Sequence, residues 1–482
     1  MLFNSHKIGI TITLLMTSTA ALALPFNSFD PRSMAMGGAG VAIGDPGTAP
    51  LFNPALLSAS DPNKKYSIEL PIIGFRLSDT GNVRSEAPTL GDNITALGTS
   101  IMAVNASANG TTVAQLRQLP RNMTTVANDI DKVKTSLSAL NNKPMQGEFG
   151  AATVVGVPGK DLGMAFYANA WGAMGGTLLY KDATILGNLS TAARAAADAL
   201  TTATNPATAD ACLRVQNGTG TPTALQADVA TCLAGATVIQ TSLVNAQGVV
   251  QFDSKTQIAS QVHLRGVAAA EAGLSLSHAF VTNGHEWALG VTPKLMQLKL
   301  FDALIDAKSG DLGQATGNDF IANYTAFNFD LGVAKNYNNG WSTGFVVKNV
   351  IPQSFAFKRA PTAGATPVAT GATLNLNPQA RVGVSHANSW STVALDVDIT
   401  KNDPAGLENK SQFIGLGGEL SAWGWAQLRA GYRLDLVNSA RNIASVGLGF
   451  SPRIPYFKIH GDIALAGNAN EAGLSMRAGF NF

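Results

Sequence analysis

Along 472–482 apolar and polar positions alternate. Leu474, Met476, Ala478, Phe480 and Phe482 share one face; Gly473, Ser475, Arg477, Gly479 and Asn481 share the other. A period of two predicts a strand whose faces meet different surroundings. The pattern recurs. Leu428, Tyr432 and Leu434 alternate with Arg429, Arg433 and Asp435, and Ile459 and Ile463 with Lys458, His460 and Asp462. Leu395 and Val397 alternate with Asp396 and Asp398, and Phe329 and Leu331 with Asp330. Fourteen such segments are expected, near 65–76, 147–156, 162–178, 258–277, 285–296, 323–335, 341–350, 378–386, 391–400, 409–419, 424–436, 441–451, 455–465 and 472–482. Connections after even segments are short (VPGKD, VTNG, NYNNG, HANS, AWG, SPRIP), whereas those after odd segments are mostly longer, and three are very long.

Short turns at one rim and long loops at the other describe an outer-membrane β-barrel. The fold class expected is therefore all-β, a transmembrane antiparallel barrel of about fourteen strands in the outer membrane of a Gram-negative bacterium. A soluble β-sandwich would also alternate. Against it, the polar face mixes small residues with both signs of charge, the segments run about ten residues, and the last strand ends on an aromatic residue. That length crosses a tilted bilayer span, and Phe480 and Phe482 are read as the signal to the barrel assembly machinery. Lipid cannot satisfy an open sheet edge, so the strands must close on themselves. Barrel parity makes Asp330, Asp396, Asp398, Arg429, Arg433, Asp435, Lys458, His460, Asp462 and Arg477 lumen charges.

Composition agrees with this picture. Charged residues are 13% of the 482, about half of the roughly 25% usual in soluble domains. The net charge of +2 gives no case for nucleic acid. Residues 1–23 read as a signal peptide: Lys7, an apolar run from Ile8 to Met16, then Ala21-Leu22-Ala23, with cleavage after Ala23. The run is too short for a membrane anchor. Export makes a disulfide between Cys212 and Cys232 permissible, although two free buried thiols remain the alternative. A loop of that size contributes about 3 kcal/mol in the chain-entropy model.

Three stretches are not strand-like. Met123, Val126, Ile130, Val133, Leu137 and Leu140 make a helical stripe over 121–141. Residues 184–201 and 223–246 also read as helix. Helical insertions are thus expected at about 100–145 and 184–246, on the extracellular side, either as solvated loops or as a cap over the barrel mouth.

Before the first strand stands FDPRSMAMGGAGVAIGDPGTAPLFNPALLSAS. Its glycines lack the spacing of a phosphate loop and no strand precedes them. The arrangement R-x-x-x-M-G-G-A-G-V-A followed by N-P-A-L-L resembles the N-terminal hatch of the FadL-type outer-membrane transporter superfamily. RSMAMGGAGVA, FNPALLS, ELPIIGFRLSD, GAATVVGVPGKDLGMAFYANAWG and the ending SVGLGFSPR…GFNF are similar to the TraF-like outer-membrane proteins, whose name refers to conjugal transfer. The resemblance implies a fourteen-stranded barrel, 63–482, plugged by residues 24–62, with Arg32, Met36, Gly37, Gly38, Gly40, Asn53, Pro54 and Ala55 in the hatch. It also implies that Asn53, Pro54 and Ala55 move to open a path for a hydrophobic ligand.

The sequence holds no H-E-x-x-H or C-x-x-C, and it suggests no catalytic residues, metal site or cofactor. The lumen charges could line a substrate path or brace the interior as paired ions. Two functions follow. One is hatch-gated passage or binding of small hydrophobic molecules. The other is a non-transporting docking component of a conjugation- or secretion-associated envelope apparatus, with a protein partner on the helical insertions.

Overall fold

The computed structural model describes residues 29–59, 66–108, 111–202, 209–234, 259–282, 285–307, 318–337, 339–361, 365–421, 423–454 and 457–481. The expected signal peptide with Ala23 and the final Phe482 lie outside them. Fourteen strands form one antiparallel ring. They are β1 (Ser67–Ser78), β2 (Met145–Val157), β3 (Gly163–Leu179), β4 (Gln261–Thr282), β5 (His285–Asp306), β6 (Ile321–Asn336) and β7 (Trp341–Lys348). Then follow β8 (Gln379–Ala387), β9 (Ser391–Asp398), β10 (Phe413–Leu420), β11 (Ala426–Asp435), β12 (Ile443–Phe450), β13 (Phe457–Gly467) and β14 (Glu471–Asn481). Each pairs with its neighbours in sequence, and β14 returns to β1 with Ser67 opposite Asn481 and Ser78 opposite Glu471. No edge is left for lipid to meet.

Alternation places the apolar positions outward. Leu428, Leu434, Val446, Leu448, Leu465, Leu474 and Met476 are exposed, while Arg429, Ser445, Asp462, Ser475 and Arg477 are buried in the interior. An apolar outer belt on a closed sheet is the form in which strands cross a bilayer, so this is a transmembrane β-barrel, the architecture of outer-membrane proteins. In β1 the register shifts between Glu69 and Ile72. The extra residue reverses the parity, so Glu69 and Arg76 both face inward and Leu70 and Pro71 both face out.

The strands are unequal in length, and β5 runs well beyond the expected 285–296. β7 to β12 run 8 to 10 residues, but β4 and β5 run 22 each and β3 and β6 run 17 and 16. The upper parts of these four extend beyond a bilayer crossing. Their inner positions carry Trp171, Val267, Leu298 and Leu300, which pack inside the barrel instead of facing water. A hairpin not foreseen, Gln353–Arg359 with Val368–Leu376, leaves the β7–β8 connection and covers that surface.

The helical insertions build their own core. Val83–Ala108, Leu119–Leu140, Ala183–Thr202, Ala209–Asn217 and Pro222–Ala234 share one apolar cluster that includes Val104, Ile130, Leu200 and Cys232. The first insertion starts earlier than expected: Val83–Ala108 is helical despite Pro88, Gly91 and Gly98, which hide it from a propensity reading. The second reading, 223–246, matches a helix to Ala234; the rest lies outside the described residues.

Candidate functional site

The segment before β1 lies inside the ring. Asp30 caps a short helix, Pro31–Ala35, by accepting a hydrogen bond from the Ser33 amide at 2.8 Å, with Pro31 at the first helical position. Gly37 and Gly38, at φ of 70° and 91°, end it. The chain then circles the interior. Gly40 and Val41 donate their amides to Asp396 Oδ2 at 2.8 and 3.0 Å. Asn53 donates from Nδ2 to the carbonyls of Val41 and Val333 at 3.1 and 3.0 Å. Ser58 donates to the carbonyl of Gly159 in the β2–β3 turn, so residues 53–59 sit at the short-turn rim.

Inward-facing glycines make room for this plug. A Cβ on Gly417 or Gly431 would stand closer than 3.0 Å to the backbone of Met36, and one on Gly415 or Gly431 equally close to that of Gly37. Gly344 meets Val41, Gly332 meets Asn53, and Gly290 meets Pro54 and Ala55 in the same way. All eight expected hatch residues lie in this segment, and Met36, Asn53 and Ala55 are fully buried.

Two ionic lattices hold the plug and the wall. In the first, Arg32 of the plug binds Glu419 at 2.8 Å, Glu419 binds Arg429 at 2.6 Å, Arg429 binds Asp462, and Asp462 binds Arg477 at 2.6 Å. Arg477 returns to the plug at Asp30 and Asp45, 3.0 and 3.4 Å away. The second lattice pairs Arg76 with Glu148 (2.6 Å), Glu471 with Arg433 and Arg441 (2.9 and 2.7 Å), and Arg441 with Glu408 (3.0 Å). Burial holds the Glu408 carboxyl above the ordinary glutamate range, against the pull of Arg441 and Arg76.

The sequence-selected charges divide among these roles. Asp398 pairs with Arg381 at 2.6 Å, while its strand neighbour Asp396 serves the plug backbone. Asp330 binds Lys294 at 2.9 Å. His460 contacts Glu69 at 2.8 Å. Asp435 accepts amides from Gln412 and Val437 near the long-loop rim. Lys458 is a correction: it shares the face of His460 and Asp462 but is exposed, because the strand begins there at the short-turn rim. Arg76, Glu148, Glu419, Arg441 and Glu471 were not singled out. Alternation in FRLS and QGEF carried the signal for the first two; Arg441 and Glu408 lie in connections, where parity gives none.

The lumen is thus two-sided. The β8–β14 side is ionic. The β3–β6 side is apolar in its upper part, through Trp171, Val267, Met296, Leu298 and Leu300. A cavity of ≈ 80 Å³ lies above the plug, between Phe29, Met34 and Phe52 and the second lattice. That is about half the volume of the engineered apolar cavity that admits benzene, so a larger guest requires the surroundings to move. Above it, the hairpin buries Phe357, Leu374 and Leu376 against the apolar wall, and Arg359 binds Asp302 of β5 at 2.8 Å. The 399–412 connection also turns inward, placing Ala405 in the same apolar cluster. Cys212 and Cys232 are disulfide-bonded, far from this interior in the helical insertion.

A family model described as "F plasmid transfer operon, TraF, protein" matches residues 50–398. No curated protein sequence matches the chain. Solved structures that align over nearly the whole chain include the toluene transporter TbuX of Ralstonia pickettii, at 13% identity and TM-score 0.44, covering 95% of this chain and 98% of that one. The monoaromatic hydrocarbon channel CymD aligns at 11% identity and TM-score 0.47, with 95% and 98% covered. A Pseudomonas aeruginosa FadL homologue aligns at 10% identity and TM-score 0.44, with 94% and 98% covered.

Proposed function

The chain belongs to the TraF family of that description, and from that premise we propose that it is a hatch-gated outer-membrane channel for small hydrophobic molecules. The observation that carries the reading is the two-sided lumen. A barrel for polar solutes has a polar, water-filled interior. Here one side of the interior is lined by Trp171, Met296, Leu298 and Leu300, and a buried plug closes the way below it. An apolar wall above a plug supports a guest that leaves water on entry, with about 0.8 kcal/mol gained for each CH₂ buried. The plug is the moving part in this reading, with Asn53, Pro54 and Ala55 opposite Gly332 and Gly290 at the point of release.

The test is uptake of radiolabelled oleate and toluene by cells whose own hydrophobe channels have been removed. Expression of the protein is expected to restore uptake of at least one probe. Removal of residues 30–58 is expected to abolish its dependence on ligand concentration while the barrel keeps its heat-modifiable migration. Uptake of both probes at the level of the empty vector would sink the reading.

A further inference from the structure

We propose that residues 402–411 form a latch that occupies the protein's own hydrophobe-binding groove, and that the ligand enters by displacing it. The inference rests on the channel reading and adds the place where the ligand first binds. The base of the segment is fixed. Asn402 and Ser411 exchange backbone hydrogen bonds at 2.7 and 3.1 Å, and Asn402 donates to Asp398 at 2.9 Å. From that base the tip crosses the lumen toward β2 and β3. Ala405 is buried among Trp171, Leu298, Leu300 and their neighbours. Leu407 lies against Gly175 of β3, and Gly406 against Gln146 of β2.

The tip is held by few groups. Its apolar share of the cluster is the methyl group of Ala405. Its polar anchor is Glu408, whose Oε2 meets Arg441 at 3.0 Å and accepts from Gln146 Nε2 at 3.4 Å. Ser78 also hydrogen-bonds the Glu408 side chain, while Arg441 Nη1 is buried without a hydrogen-bond partner, so the seated anchor is incompletely satisfied. Ala405 adds one methyl group to a wall that Phe357, Leu374 and Leu376 of the hairpin also cover, so the latch is the weaker of the two occupants. A ligand with several apolar carbons covers more of that wall and competes with it. The groove therefore suits an uncharged apolar body, such as an alkyl chain or a single aromatic ring, placed where Ala405 now sits.

The geometry supplies a direct test. A Cβ built on Gly175 lies 3.4 Å from the Leu407 Cβ, close to the spacing a disulfide bridges. The Gly175→Cys/Leu407→Cys protein is expected to oxidise spontaneously. In that form it should take up radiolabelled oleate and toluene several-fold more slowly than after dithiothreitol, while the unsubstituted protein responds to dithiothreitol little or not at all. Glu408→Ala, which releases the anchor without adding a side chain, should speed uptake. Equal uptake by the oxidised and reduced double variant would overturn the latch and leave the channel standing. Failure of the two cysteines to join would count against the latch as well. No uptake by the unsubstituted protein would remove the channel reading, and the latch with it.

Discussion

Asp396 shows how little separates a lumen charge from a structural clamp. Its carboxylate receives the Gly40 and Val41 amides, which are buried and have no water to turn to. Replacing it with alanine leaves two donors unsatisfied, at about 1–3 kcal/mol each. The Asp396→Ala barrel should assemble yet leak, with frequent open events in planar bilayers where the parent stays shut. Arg477 is the more severe position, because Asp30, Asp45 and Asp462 all depend on it. Breaking a buried pair costs about 3–5 kcal/mol, so Arg477→Ala should lower the temperature of the gel-mobility transition markedly. Added bulk tests the glycine belt: Gly431→Val places atoms where Met36 and Gly37 run, an overpacking of about 1–3 kcal/mol that should raise protease cleavage within 30–45. Most of the inward charges on the strands were legible from alternation; Lys458 at a strand end and Arg441 and Glu408 in connections were not. Nor were the partners of these charges, since Arg32 and Glu419 meet across 387 residues of chain, and no local pattern records such a match.

At the level of elements, all fourteen strands were legible, because period-two alternation is dictated by the two solvents. The far end of β5 was not: the expected segment stops at 296, whereas the strand runs to Asp306. There the upper inner face meets protein, namely the hairpin, and the alternation of Ala, Leu and Lys no longer reports where the bilayer ends. The hairpin itself, FAF and TLNL, is too short for its period to stand out. In the helical insertion, the stripe from Met123 to Leu140 was plain, but Val83–Ala108 was masked by proline and glycine. That insertion should respond to acid. Its Arg214–Asp228 pair is held at 2.7 Å, and the hydrogen bonds from Arg214 keep the Asp228 carboxyl below the usual aspartate range. A depressed acid stabilises the fold above the unfolded aspartate value, about 3.9, and the contribution is lost as pH falls through the lower folded value. Titration from pH 5 to pH 2 should therefore weaken the insertion, seen as a loss of helical circular dichroism on mild heating, and Asp228→Asn should flatten that dependence. Reducing Cys212–Cys232, which stand 20 positions apart in sequence, should remove about 3 kcal/mol from the same unit and leave the barrel's gel migration unchanged.

At the scale of the whole molecule, the two rims differ. Trp287, Trp341, Trp390, Trp423 and Trp425 all stand at or beside short turns, and Trp171 alone faces the lumen. Tryptophan settles at the level of lipid headgroups, so the short-turn rim is pinned to one interface. Most of the fluorescence should be quenched by lipids labelled near the headgroup and little by labels near the bilayer centre; the reverse order would contradict the placement of the belt. The β1–β14 seam has a consequence for biogenesis. Ser67 and Asn481 are joined side by side, although almost the entire translated length separates them, and joining distant ends costs the most loop entropy. This seam is then the last to zip, and the stretch preceding β1 must already be indoors when it does. Maturation thus resembles coopering a cask around its own stopper: a barrel that shuts early would strand residues 30–59 in the periplasm, with no return except by unzipping the wall.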